Sequence, residues 1–176
     1  MARNVEIKAR VGDPTATRRL VEGAADGPPA SLTQTDTFFR VGHGRLKLRE
    51  PSGAEAELIS YERPDLAGPK ESRFERVAVP DAPALRALLA SALGECGQVI
   101  KRRLVYRVGR TRVHLDQVSG LGNFLELEVE LEPGEPAEAG AREARRLMRG
   151  FGIGEEALVS EAYVDLLNRR AGPAGG

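Results

Sequence analysis

A chain of 176 residues is long enough for one domain with its own core, and its 41% apolar and 30% charged content excludes a disordered polymer. Its 26 Lys and Arg balance its 26 Asp and Glu, which excludes the basic excess of a nucleic-acid binder. The single cysteine, Cys96, excludes an internal disulfide, and neither a signal peptide nor an apolar run near the ~18 residues of a membrane span is visible. The expectation is a cytoplasmic protein with neither nucleic acid nor membrane as partner.

Residues 3–11 alternate strictly, with Asn4, Glu6, Lys8 and Arg10 on one face and Val5, Ile7, Ala9 and Val11 on the other, which predicts a strand. Asp13-Pro14 opens a helix that ends near Gly23. Strands follow over about 32–41, 45–50, 55–63 and 70–79, with Gly42-His43-Gly44 as a tight connection. Asp81 caps a second helix, striped by Leu85, Leu88, Leu89 and Leu93 and ended by Gly94. Three strands over about 98–108, 111–117 and 123–132 come next, the first two joined at Gly109-Arg110. A third helix spans about 137–150, and a last one begins at Ser160 and carries Tyr163, Leu166 and Leu167. One domain over 1–170 is expected, with 171–176 as a disordered tail. Short turns between strands imply antiparallel pairing, and eight strands suffice to close a barrel. The expected class is therefore α+β: a closed eight-stranded antiparallel β-barrel with amphipathic helices packed outside.

Strand after strand carries one apolar and one ionic face. Arg45, Lys47 and Arg49 alternate with Leu46 and Leu48; Lys101 and Arg103 share a face with Val105; Arg112, His114 and Asp116 share another; Glu126, Glu128 and Glu130 alternate with leucines and valine. A solvent-facing sheet explains any one such strand. It does not explain the sorting of signs, because like charges along one face repel and solubilising faces mix them. The apolar faces need cover, and amphipathic helices outside the sheet would turn the ionic faces inward around a lumen. Alternate residues on a strand sit ~6.5–7 Å apart, so a row of Lys and Arg matches successive phosphates. Carboxylates opposite would repel those phosphates unless a cation intervened, and hard oxygen donors suit Mg2+ or Mn2+. His114 reads as a structural or phosphate-contacting residue, His43 as an exposed turn residue, Cys96 as inert, and Phe38 and Phe39 as core. The Tyr61 hydroxyl shares a face with Arg63, in reach of phosphate.

These residues also resemble the CYTH superfamily, the triphosphate tunnel metalloenzymes, which includes class IV adenylyl cyclases, thiamine triphosphatases and inorganic triphosphatases. The family's N-terminal Glu-x-Glu-x-Lys is matched by Asn4-Val5-Glu6-Ile7-Lys8, with an amide at Asn4 in place of the first carboxylate. The resemblance continues through Gln34–Phe39, Arg45–Arg49, Leu58–Asp65, Gly68–Ser72, Lys101–Arg103, Leu115-Asp116 and Gly120–Glu128. It implies Glu6, Asp116, Glu126 and Glu128 as metal ligands. It implies Lys8, Lys47, Arg49, Arg63, Lys70, Lys101 and Arg103 as triphosphate-binding cations, with Lys8, Lys47, Arg49 and Arg103 carrying the catalytic charge stabilisation. Arg45, Tyr61 and Arg112 join the expected substrate-binding set by their places on the ionic faces. Tyr61 stands where the hydrolase branches often carry Lys, which resembles the cyclase branch. The implied activity is a Mg2+- or Mn2+-dependent adenylate cyclase making cAMP and pyrophosphate from ATP. A triphosphate phosphohydrolase and a non-catalytic polyphosphate- or nucleotide-binding module are the alternatives. The apolar helix stripes leave a homodimer open.

Overall fold

The computed structural model describes residues 2–172. Eight strands form: β1 (Ala2–Arg10), β2 (Ala30–Phe39), β3 (Arg45–Pro51), β4 (Ala56–Glu62), β5 (Lys70–Val79), β6 (Glu95–Val108), β7 (Thr111–Val118) and β8 (Gly122–Glu130). They close into a barrel in the order β1-β5-β4-β3-β2-β6-β7-β8. Every neighbouring pair is antiparallel. The topology is two meanders, β2 to β5 and β6 to β8 with β1, joined by the β1–β5 and β2–β6 seams. Closure removes the free sheet edges that an open sheet of this size would present.

Four α-helices accompany the barrel: α1 (Pro14–Ala24), α2 (Ala82–Leu93), α3 (Ala137–Gly150) and α4 (Tyr163–Ala171). The first two begin where the sequence predicts. Asp13 accepts from the Ala16 amide and Asp81 from the Ala84 amide, each at 3.0 Å, and a proline stands in each first turn. The outward faces of β1, β7 and β8 supply Val5, Ile7, Ala9, Val113, Leu125, Leu127 and Val129, all at most 1% exposed. Ala144, Leu147 and Met148 of α3, with Phe151 behind it, cover them. Burying such side chains contributes on the order of 2 kcal/mol each, which is what turns the polar faces inward. At Gly140 the backbone of α3 comes so close that an added Cβ would meet Val5 Cγ2 at 2.8 Å and Leu131 Cδ2 at 2.9 Å. A smaller cluster of Phe39, Leu48 and Val79 lies under α2.

Three boundaries differ from the sequence reading. β6 starts at Glu95 rather than near 98, so Cys96 lies in a strand. It pairs with β2 through a register shift at Phe38/Phe39, and Gly97 at φ 149° leaves room there for Val164 of α4, whose Cγ2 would lie 2.5 Å from a Cβ at that position. α4 starts at Tyr163 rather than Ser160, because Ser160 and Glu161 stay outside the helix and offer their carbonyls to barrel cations. α4 also runs through Ala171 and ends on Gly172 at φ 77°, whereas a frayed tail was expected from 171; residues 173–176 lie outside those described. Among the described residues no helix is long and apolar enough to cross a membrane.

Candidate active site

The alternation of the strands projects one polar face of each into a single cavity of about 280 Å3 inside the barrel. Asn4, Glu6 and Lys8 enter from β1, Gln34, Asp36 and Phe38 from β2, and Lys47 and Arg49 from β3. Tyr61 enters from β4 and Arg63 just beyond it, Ser72 from β5, Lys101 and Arg103 from β6, Arg112 and His114 from β7, and Glu126 and Glu128 from β8. Most of the cationic and acidic side chains read from the sequence thus face one lumen, whereas Arg45, Lys70, Asp116 and Glu130 do not line it.

On one side Arg49 makes a two-pronged contact with Asp36, Nε to Oδ1 and Nη2 to Oδ2 at 2.9 Å each, while Lys47 Nζ lies 3.3 Å from Asp36 Oδ2. Burial pushes the Asp36 carboxyl up, but Arg49 and Lys47 outweigh it and hold the group well below the usual range. Burial, reinforced by Arg49, brings Lys47 down to about 8. Lys47 also sits 5.1 Å from the Tyr61 ring centre and 5.8 Å from that of Phe38.

Across the lumen Arg103 grips Asp116 with two bonds of 2.6 Å and reaches Glu126 Oε2 at 2.5 Å. Lys8 Nζ stands 3.5 Å from Glu126 Oε1. Burial opposes ionisation of Glu126, and Arg103 and Lys8 overcome it, holding the carboxyl well below its ordinary value. Glu128 binds Arg112 at 2.9 Å through Oε2 and is held at about 2; burial works against that value, and His114 and Arg112 prevail. Glu6 behaves differently. It pairs with Arg63 at 3.1 Å, yet burial, with Glu128 and Glu126 nearby, leaves its carboxyl raised. Three glutamates therefore concentrate negative charge at one level of the barrel, where Glu6 is paired with Glu128 in register and Lys8 with Glu126.

Whether these residues suit a divalent cation is decided by their donor atoms. His114 Nδ1, Glu126 and Glu128 present ligand atoms that all lie within 4.8 Å of one another. Two side-chain atoms of the cavity lining, His114 Nδ1 and Asn4 Oδ1, are buried without a hydrogen-bond partner. Unsatisfied buried donor atoms next to crowded carboxylates fit a cation. Of the four metal ligands expected from the sequence, Glu126 and Glu128 belong to this group. Glu6 and Asp116 lie outside it, held by Arg63 and Arg103.

The segment leading into α4 closes one end of the cavity. Lys8 donates to the Glu161 carbonyl at 3.0 Å, Arg63 and Lys70 donate to that of Ser160 at 3.2 and 3.4 Å, and the Tyr163 hydroxyl donates to Asp116 at 3.0 Å. Lys70 is buried, and burial with Arg63 nearby lowers it to about 8. Arg45 stands apart from the cavity wall, bridging Asp65 at 3.0 Å and Asp165 at 2.8 Å. The Glu130 side chain is 44% exposed at the end of its row and pairs with Arg107 and Arg112. Phe39 is core, whereas Phe38 both packs under α4 and borders the cavity.

Sequence reasoning missed two groups. Asp36 lay inside a recognised segment, but Thr33, Thr35 and Thr37 make both faces of β2 polar and blur its alternation. Tyr163 stood on the last helix and in a C-terminal segment, Tyr163–Leu167, that also resembles the family, but with no site role; its hydroxyl reaches Asp116 through tertiary placement alone.

Comparison with known proteins agrees with this architecture. A Methanocaldococcus jannaschii protein named "putative adenylate cyclase" is 23% identical over 133 residues, covering 74% of this chain and 75% of its own length. A Pyrococcus horikoshii structure superposes with a TM-score of 0.83 at 24% identity, over 93% of this chain and 98% of that one. The structure of a Hippeastrum protein named "putative adenylyl cyclase", described as revealing a dominant triphosphatase activity, superposes with a TM-score of 0.60 at 19% identity, over 96% of each chain. The CYTH domain matches residues 2–163, nearly the whole described chain, and the protein belongs to that family.

Proposed function

We propose that this protein is a divalent-metal-dependent enzyme that cleaves a phosphoanhydride bond of a triphosphate-bearing substrate inside the barrel. The observation that carries the reading is one cavity lined both by a cationic set (Lys8, Lys47, Arg49, Lys101, Arg103) and by the half-buried glutamates Glu6, Glu126 and Glu128, with the unsatisfied His114 Nδ1 beside two of them. Glu126 and Glu128 would hold the Mg2+ or Mn2+, with Glu6 close by. When bound, the metal supplies positive charge against the phosphoryl oxygens. The chain's own cations do the rest. Arg49 and Arg103 present guanidinium forks fixed by Asp36 and Asp116, and so need little reorganisation as charge develops on the oxygens of the breaking bond. Lys8, Lys47 and Lys101 are buried amines whose charge burial disfavours, so an incoming polyanion relieves them.

The first reaction to consider is cyclisation of ATP to cAMP and pyrophosphate, in which the ribose 3′-hydroxyl attacks the α-phosphorus. Tyr61 on the cavity wall, in the place where the hydrolase branches often carry Lys, and the name carried by the archaeal relative support it. The second is hydrolysis of a triphosphate. The compact cavity, closed at one end by residues 160–163, and the triphosphatase activity described for the Hippeastrum protein favour that reading. Incubation with ATP, tripolyphosphate or thiamine triphosphate, each with Mg2+ or Mn2+, separates them chromatographically. Formation of cAMP supports the cyclase, orthophosphate without cAMP supports the hydrolase, and binding without turnover defeats both.

A further inference from the structure

His114 lies at the centre of the acidic face, on β7 opposite Glu126 of β8. Only 4% of the residue is exposed, and Nδ1 has no hydrogen-bond partner. That atom lies 3.7 Å from Glu126 Oε2 and 3.8 Å from Glu128 Oε1. Both distances are too long for a hydrogen bond. They are the separations of donors sharing one ion, because two ligands each about 2.0–2.2 Å from a metal and set ~90–120° apart lie roughly 3–4 Å from one another.

The neighbouring arginines leave two of these three atoms, His114 Nδ1 and Glu128 Oε1, outside their hydrogen bonds. Arg112 takes Glu128 through Oε2, so Oε1, the oxygen facing His114, is not the one it holds. Arg103 shares Glu126 Oε2, but its fork rests on both oxygens of Asp116, so it keeps its anchor if Glu126 turns to an ion. Carboxylates alone would make an oxygen site suited to Mg2+. A neutral imidazole nitrogen in the set favours first-row transition ions, which bind nitrogen more strongly than Mg2+ does.

We propose that His114 ligates the divalent cation directly through Nδ1, making with Glu126 and Glu128 a nitrogen–oxygen site that selects Mn2+ or Co2+ over Mg2+. The inference rests on the reading of the barrel as a metal-dependent triphosphate site and assigns that site its metal class.

The test is pulsed electron paramagnetic resonance on the full chain loaded with Mn2+ and a methylene-bridged triphosphate, an analogue that carries no nitrogen. The expected spectrum shows phosphorus coupling from the analogue and 14N modulation from one imidazole. Labelling the histidines with 15N must convert the nitrogen pattern. The protein has two histidines, and the second, His43, is an exposed turn residue whose replacement in His43→Gln leaves the pattern intact. His114→Gln loses the modulation and weakens Co2+ and Mn2+ binding on the order of ten-fold, with Mg2+ affinity held within a factor of about two. Phosphorus coupling without nitrogen in the labelled and unlabelled wild-type protein overturns the role of His114 and leaves the triphosphate site standing. Absence of both couplings, with no Mn2+ bound, overturns the two together. Isotope labelling of the wild type decides the matter even if His114→Gln does not fold.

Discussion

Arg103 and Asp116 are locked together in the barrel by two hydrogen bonds of 2.6 Å, with both side chains at most 3% exposed. Such a pair adds little net stability over an apolar substitute but is costly to break from one side. Arg103→Met, which leaves Asp116 buried with the Tyr163 hydroxyl at 3.0 Å but with its nearest cation the more distant Lys101 at 3.8 Å, is expected to cost about 3–5 kcal/mol in urea unfolding. Arg103→Lys keeps the charge and loses the fork. It should stay closer to wild-type stability while turnover falls on the order of 10²-fold, measured by phosphate or pyrophosphate release. A methionine variant as stable as wild type would show that the pair does not carry this buried charge.

Lys47 and Lys70 stand near 8 in the free protein, both chiefly through burial. A bound polyanion stabilises their charged forms, so the complex holds more protons than the free protein above that pH. Affinity for tripolyphosphate is therefore present below about 8 and declines as the pH rises through it, with protons taken up on binding. Calorimetry at pH 9 in buffers of different ionisation enthalpy reads that uptake directly. Asp36 raises Lys47, so Asp36→Asn is expected to move the alkaline decline to lower pH. A decline that stays put would remove Lys47 from the binding set.

How much of this was legible beforehand follows from the range of each interaction. The lumen faces of β1, β3, β7 and β8 could be read because alternation is local and the sorted signs are visible along each strand. The insertion of β1 between β5 and β8 could not, since those pairings join residues far apart in sequence. The same holds for Arg45, whose place on an ionic face looked like that of Lys47 and Arg49. Its partners Asp65 and Asp165 come from a loop and from α4, and they hold it at the rim. His114 showed its face but not its empty Nδ1, which exists only because the surrounding arginines are committed elsewhere.

Gly140 gives a prediction whose sign opposes helix propensity. Alanine is the better helix former by up to about 1 kcal/mol at an interior position. At Gly140, however, its methyl would press on Val5 of the outer face of β1 at 2.8 Å and on Leu131, just beyond β8, at 2.9 Å. Overpacking of this kind costs about 1–3 kcal/mol, so Gly140→Ala should lower the urea midpoint with activity per folded molecule unchanged. A rise in stability would show that α3 can move off the barrel without loss.

The closure of one end by residues 160–163 predicts a response to ligand. Lys8, Arg63 and Lys70 donate to the Ser160 and Glu161 carbonyls, and a polyphosphate bound as proposed would compete for the same cations. Saturation with tripolyphosphate and Mn2+ should speed amide hydrogen exchange in residues 158–166 while slowing it in β3 and β6. Exchange that slows in both regions would mean that the segment keeps its contacts while the cations bind ligand.

Asn4 tests the charge balance of the acidic face. It stands 4% exposed with Oδ1 unpartnered, in register with Glu130 on one side and Ser72 on the other, and two residues before Glu6. Asn4→Glu would add a buried carboxylate to a cluster in which Glu6 is already pushed up by burial and by Glu128 and Glu126. Without metal the new charge adds to the repulsion among the glutamates, so the variant should melt below wild type in chelator. With Mn2+ the extra oxygen ligand reverses the order, because an ion that binds the folded state adds stability as RT ln(1 + [L]/Kd), and a ten-fold tighter site adds about 1.4 kcal/mol at saturation. Thermal melts of both proteins in chelator and in saturating Mn2+ measure the crossing. If Asn4→Glu melts below wild type by the same margin in both, the amide faces no ion.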